Sequence, residues 1–416
     1  MAGADLGTLS EIMKEFYLGP IQNQFNDEVL VTKLLPMDSE NLEGLEGVIP
    51  LHGKRSGGIG DRGELVQLPN AGAQGYKQAK YDLKYKYARV QVSGPAISKT
   101  KSDAGAFAQA LKEELSRIKD DILIDLARQM YGDGTGKVAT IATGGVAGQV
   151  ITLTSAEALT KGFIYVGFIA DVLDSDGVTI NATALEVTDV DEDNSAITVV
   201  GTLGASAQTD SIVRSGNVAA GGEVYEPTGL KGLITTAAGA TVGGLNSGGV
   251  GLKFWDNGRE DVNAGISLSS LMKNWNKAHA RGARAGEVVA ITTPGITRGL
   301  FETSEFKGNV RFVNSQTFDG GFEEVTFNTG AGAVKLMADR HAPWGEVNIL
   351  HKKHFRLFSP GDWDFLSRDG LTIRWVPDYD AFQAVLFRYM NLGTDRRNTS
   401  FNMSRVKVGS DADVGV

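Results

Sequence analysis

The chain has 416 residues, 42% hydrophobic and 22% charged, with 53 glycines and no cysteine. That length suits about three domains with ample core, and the missing cysteines exclude a disulfide framework and thiolate metal sites. A net charge of −9 argues against a dedicated nucleic-acid reader, and with no signal-peptide order and no apolar run of ~18 residues no membrane span is expected.

Residues 1–50 combine short helical pieces with extended chain. Leu9, Ile12, Met13 and Phe16 have helical spacing closed by Gly19-Pro20, and Gln22 to Leu35 is a second amphipathic piece ended by Pro36. Pieces this short do not hold a helix alone. They dock on their own domain or, as an arm, on a neighbouring copy. Residues 51–95 read as a long two-stranded ribbon. Glu64 to Leu68 is one strand, Asn70 to Gly75 supplies turn chemistry, and Tyr81, Leu83, Tyr85 and Tyr87 alternate with Lys80, Asp82, Lys84 and Lys86. An isolated hairpin is marginal in water and needs a surface to lie on. Gly94-Pro95 then breaks the pattern before any third strand.

Phe107 to Met130 organises the rest. Phe107, Leu111, Leu115, Ile118, Ile122 and Leu126 form one apolar stripe, and Lys112, Glu113, Arg117, Asp120 and Arg128 lie on other faces. The spacing predicts a helix ~36 Å long, capped by Ser102 or Asp103 and stopped at Gly132 by a left-handed backbone.

Residues 137–224 change character. Short strand-like runs at Gly148 to Leu153, Ala182 to Val187, Ala196 to Val200 and Asp210 to Val213 alternate with acidic turns, which predicts a small antiparallel β-domain. Over 137–222, Lys137, Lys161 and Arg214 stand against ten acidic residues, so most of the net charge of −9 belongs to this stretch. Beyond it, the pattern predicts a helix from Leu268 to about Arg281, a buried strand Val288 to Thr292, a helix from Pro294, and strands at Val310 to Val313, Val334 to Ala338, Leu371 to Val376 and Phe382 to Met390. This is an α+β body.

Motifs for chemistry fail on detail. Gly132 to Lys137 is no phosphate loop: Tyr131 stands where the first glycine belongs, Val138 where Ser or Thr belongs, and the glycines follow a helix. With Asp189, Asp191 and Asp193 as calcium ligands, Asn194 replaces the required glycine and Val200 the required glutamate. His351 and His354 flank two lysines, a poor metal site, and read as surface residues. Tryptophans 255, 275, 344, 363 and 375 read as core. Arg396 and Arg397 could meet an acidic neighbour or DNA phosphate, though most such pairs are solvated.

The order of parts resembles the major capsid proteins of tailed bacteriophages, the Hong Kong 97-type fold. The arm, the ribbon, the strut helix, Gly132-Asp133-Gly134-Thr135-Gly136 and the run Pro227 to Ile234 carry that resemblance. It implies an α+β chain with an N-terminal arm (1–50), an E-loop hairpin (51–95), the spine helix of a P domain (96–136), an inserted β-domain (137–224), mainly A domain in 225–350, a return to the P domain in 351–408 and a loose tail at 409–416. It further implies a shell protein, not an enzyme and without cofactor or metal, forming hexamers and pentamers around double-stranded DNA held without sequence recognition. A separate scaffolding protein, a portal and a decoration protein are the implied partners, with assembly in the host cytoplasm and no membrane. Contacts between copies are expected at Phe16, Tyr17, Phe25, Leu65, Leu68, Tyr81, Leu83, Tyr85, Tyr87, Lys80, Lys84, Lys86, Arg396 and Arg397. Lys77, Lys80, Lys84 and Lys86 occupy positions where some members cross-link, but no partner asparagine or catalytic acid is evident, so no cross-link is expected. The alternatives are an encapsulin-type nanocompartment shell, a secreted surface-layer or adhesin protein, and a soluble enzyme.

Overall fold

Helix Ala104–Tyr131 takes the predicted place in the computed structural model, which describes residues 29–93, 104–201, 203, 209–234, 237–249, 251–284, 286–302, 316–317, 323–329, 332–367 and 371–407. The expectations for Phe16, Tyr17, Phe25, the Ser102/Asp103 cap, the strand at Val310 to Val313 and the tail lie outside these residues, as do the side chains of Phe107, Leu111 and Leu115. The chain divides into two units.

One unit comprises Met1–Pro36, Lys84–Pro227 and Ser359–Met390. Its helix buries Ile122, Leu123, Leu126, Ala127 and Met130, a stripe of four-residue steps. Gly132 ends the helix, its N–H reaching the Arg128 and Gln129 carbonyls at 3.0 and 3.1 Å. It is not left-handed, contrary to expectation; Gly134 and Gly136 are, at φ 81° and 77°. Asp133 closes this turn by accepting from the Thr135 N–H at 3.0 Å. A Cβ on Gly136 would sit a tight 3.1 Å from Val218 on top of a left-handed φ, so glycine is favoured where the chain leaves the helix.

The turn opens into a closed antiparallel barrel of six strands, in the order Ala196–Val200, Val150–Leu153, Lys137–Ala147, Ser211–Arg214, Ile169–Leu173 and Ile180–Asp191. Alternation fills its interior with Ile141, Ile151, Leu153, Val172, Leu185, Val187, Ile197, Val199 and Ile212. Closure leaves no free edge. Ile124 of the helix packs against this core. The same unit pairs Lys84–Ser93 along Ala381–Met390. This corrects the expectation that no third strand follows the ribbon: the partner lies at the far end of the sequence, out of reach of local pattern.

The second unit comprises Met37–Leu83, Thr228–Phe358 and Asn391–Val416. Its mixed seven-stranded sheet runs Gly258–Asp261, Phe401–Ser404, Val347–His351, Val288–Thr292, Gly332–Ala338, Glu323–Thr329, Gln316–Thr317. Helix Leu268–Ala280 starts at Ser267, whose side chain and that of Ser270 form a capping box. It packs Leu271, Trp275 and Ala278 with Ile296, Leu300, Leu336, Ile349 and Phe401 in one core. Of the five tryptophans, Trp255, Trp275 and Trp363 are buried, whereas Trp375 is exposed. A separate hairpin pairs Glu46–Lys54 with Gly75–Asp82.

Candidate assembly surfaces

A hairpin forms, but not from the predicted strands: it joins Glu46–Lys54 to Gly75–Asp82, and no strand forms at Glu64 to Leu68. The connection 55–74 is irregular because its glycines and a left-handed Leu65, at φ 61°, break any alternation. Its two limbs still touch. Ser56 Oγ donates to the Gly72 carbonyl at 2.8 Å and accepts from Gly58 N–H at 3.2 Å. A Cβ on Gly72 would meet Gly57 N at 2.6 Å, so the limbs approach backbone to backbone. Beyond this pinch Ile59, Leu65 and Leu68 stand 91%, 102% and 77% exposed. A left-handed leucine costs about 1–2 kcal/mol, and here that cost secures no packing among the described residues.

In the other unit the Lys84–Ser93 strand has two unlike faces. Tyr85 pairs with Tyr389 and Tyr87 with Phe387. Tyr85 meets the Tyr389 ring edge-on at 4.9 Å, and Phe387 lies 5.1 Å from it. Tyr85 and Tyr87 are exposed. The lysines between them point the other way. Lys84 Nζ donates to the Val224 carbonyl at 2.7 Å, and Lys86 Nζ to Asp125 at 2.5 Å and Gln129 at 2.9 Å. Asp125 also holds Arg128 at 3.0 Å, and Arg128 holds Glu226 at 2.5 Å. Burial would raise the Asp125 carboxyl, but Lys86, Arg128 and Arg214 outweigh it and hold it well below the usual carboxylate range. The lysines thus meet acidic partners in two settings: Lys80 is exposed beside Glu46 at 3.2 Å, and Lys86 is half-buried in an ion cluster with Asp125.

Several residues expected between copies are used inside their own unit. Tyr81 and Leu83 are buried; the Tyr81 hydroxyl donates to the Thr394 carbonyl at 3.0 Å and its ring stacks on Phe358. Arg397 is fully buried, donating to the Leu233 carbonyl at 2.6 Å, the Trp255 carbonyl at 3.1 Å and Asn257 Oδ1 at 3.0 Å. Burial lowers its pKa to about 10 despite the favourable field of Tyr81 and Asp256. It is a bracket for three segments, not a solvated or phosphate-reaching arginine. Arg396 is half-buried and donates to the Arg281 carbonyl and to Asn398. His351 corrects its surface reading: it is buried between Glu287 at 3.0 Å and Thr399 at 3.2 Å, with the half-buried His354 edge-on at 4.4 Å. The acidic turns are tied to themselves; Asp191 accepts from Asn194 N–H at 3.0 Å and Asp176 from Val178 N–H at 2.7 Å. Among the described residues no His/Asp/Glu group is arranged to hold a metal, and no helix is long and apolar enough to cross a membrane.

Neither a protein-family model nor a curated protein sequence matches the chain. Among solved structures it is similar to the capsid of cyanophage A-1(L), with a TM-score of 0.50 at 13% identity over 91% of this chain and 93% of that one. The chain has the fold of a phage capsid protein. It is also similar to the capsid of a native GTA particle (TM-score 0.48, 9% identity, 91% of each chain). A further likeness is to the SrpI encapsulin of Synechococcus elongatus (TM-score 0.44, 8% identity, 99% of each chain).

Proposed function

We propose that this chain is the major capsid protein of a tailed bacteriophage, a structural and non-enzymatic subunit that assembles into hexamers and pentamers of an icosahedral shell around double-stranded DNA. The observation that carries the reading is the capsid fold shared over 91% of this chain and 93% of the cyanophage chain. In this reading 55–74 is the tip of the E-loop, the 104–131 helix is the spine, and the barrel of 137–214 is an inserted domain. Exposed Ile59, Leu65 and Leu68 support it, since no described residue of the chain covers them. So does the charge distribution. A body near neutrality does not grip DNA through many phosphate contacts, and an acidic barrel on the outside keeps finished shells apart. A separate scaffolding protein, a portal and a decoration protein belong to the same proposal.

Electron microscopy of the chain expressed alone and with its scaffold tests this. Rings of capsomers or closed particles are expected, and genome-filled particles rather than enzyme-filled ones separate a phage from a nanocompartment. A monomer that persists under both conditions overturns the reading.

A further inference from the structure

The second unit carries a cleft of about 470 Å³ lined by Pro50, Leu51, His52, Gly53, Arg55, Phe254, His354, Asp395, Arg396 and Asn398. That volume is the size of a small-molecule site. Of its lining only Arg396 was expected at a contact between copies. Its walls are of two kinds. Pro50, Leu51 and the Phe254 ring form an apolar side, and the ring lies so close to Gly53 that a Cβ there would stand 2.9 Å from it. The other side is cationic and held in place. Arg396 is gripped by the Arg281 carbonyl through Nη2 at 2.5 Å and by Asn398 Oδ1 through Nε at 3.1 Å. Those two bonds fix the plane of its guanidinium and leave Nη1 uncommitted among the described residues. Gly282, at φ 97°, makes room, because a Cβ there would meet Arg396 Nη2 at 3.1 Å. Arg55 lines the mouth with no described partner. The one acid, Asp395, is engaged by His354 Nδ1, on the same wall, at 2.6 Å and by Arg356, behind it, at 3.6 Å.

We propose that this cleft binds a nucleotide unit, its phosphate on Arg55 and Arg396 and its base against Phe254. Guanidinium forks match phosphate oxygens, and a fixed aromatic face accepts any base by stacking. A carboxylate ligand would use the cations but leave the aromatic wall idle. The shared chemistry is one phosphate beside one flat base, and it can come from a free nucleotide or from a single strand.

Fluorescence anisotropy of a labelled short thymidine oligonucleotide on the full chain tests the assignment, with thymidine monophosphate, inorganic phosphate, duplex DNA and an acidic peptide as competitors. The oligonucleotide is expected to bind. Thymidine monophosphate is expected to compete better than inorganic phosphate, and duplex, whose bases are already stacked, to compete poorly. If the monophosphate displaces the oligonucleotide fully, the free nucleotide is the source; if it does so only in large excess, the strand is. Arg55→Ala, which removes an exposed side chain and leaves the fold intact, is expected to weaken binding about tenfold. Phe254→Ala is expected to abolish the advantage of thymidine monophosphate over phosphate while phosphate binding persists. Competition by the acidic peptide equal to that of the nucleotide, no binding at low salt, or binding unchanged in Arg55→Ala overturns the proposal. The shell reading survives any of these outcomes, since its test is particle formation.

Discussion

The surroundings of Asp125 and those of Leu65 use side chains in opposite ways. Asp125 draws Lys86 and Arg128 onto itself, with Arg214 at 3.8 Å, and Glu226 completes the group from the segment that leaves the barrel. Each charge there is answered within its own unit, and the cluster ties a strand, a helix and the barrel exit together. Leu65 and its neighbours answer to nothing described in the chain. The first arrangement serves folding and the second, in the proposed shell, faces another copy, so substitutions should separate the two. The largest effect belongs to Asp125→Ala, which leaves three cations facing one acid. Breaking one partner of a buried pair costs about 3–5 kcal/mol, read as a lowered denaturation midpoint. The double substitution Lys86→Met with Asp125→Leu should recover much of that loss, because it removes both desolvated charges instead of one. A single and a double variant of equal stability would break the account of the cluster as a paired device.

Arg397→Met tests the same logic in the other unit. It strips donors from the Leu233 and Trp255 carbonyls and from Asn257, and each buried acceptor left unpaired costs about 1–3 kcal/mol. A loss of about 3 kcal/mol is expected by chemical denaturation. Arg397→Lys should recover little, since one ammonium cannot span three acceptors set by a planar fork.

The two regions also differ in how far they could be read in advance. The helix around Asp125 follows from its own period, and Val288–Thr292, Leu268–Ala280 and Ala196–Val200 appear at or within a residue of where hydrophobic pattern puts them. Those elements are local, and local pattern describes them. The ribbon was misread because one alternating row, Tyr81 to Tyr87, is cut at Leu83. Tyr81 belongs to a hairpin and Tyr85 to a strand paired with Tyr389. Period two is the same in both, and only a partner about three hundred positions away in sequence tells them apart. Arg397 and His351 fail for a related reason. Arginines and histidines beside other cations are usually solvated, and their burial rests on acceptors from Leu233, Asn257 and Glu287 that no spacing rule connects to them. Barrel closure was equally out of sight, because Lys137–Ala147 is broken by Gly, Thr and Ala, and Ile169–Leu173 is only five residues with Asp171 among them.

Acid titration gives a smaller, graded effect. The Asp38 carboxyl, which burial would raise, is held down from 3.8 to about 2 by Arg356 and Asn41. A carboxyl depressed in the folded state stabilises it above the unfolded pKa and loses that contribution as pH falls. The Asp38 contribution should therefore hold down to about pH 4, then decline, and Asp38→Asn should flatten the part of the decline between 3.8 and about 2. His351 adds a separate step at milder pH. Burial, with His354 and Arg396 against it and Glu287 for it, lowers its pKa from 6.5. The unfolded chain then binds the extra proton, so stability slips as pH falls through 6.5. Urea midpoints across that range in wild type and His351→Gln check the sign; a wild-type midpoint that rises on acidification there would refute it.

The smallest effect on folding is expected where the largest effect on assembly lies. Replacing Leu65 and Leu68 by Asp puts charge on side chains already in solvent, so stability should move by no more than about 0.5 kcal/mol. Leu65→Gly should even stabilise slightly, since glycine holds φ 61° without a Cβ clash. Both variants remove apolar area from the tip, and the Asp pair also makes any apolar receiving surface on a second copy pay desolvation of two charges. Particle yield in the microscope should fall to near zero for the Asp pair and drop for the Gly variant, with circular dichroism and melting unchanged. If the Asp pair assembles normally, the tip is not a contact between copies. If it unfolds instead, the tip is packed within the chain after all, and the contrast with Asp125 disappears.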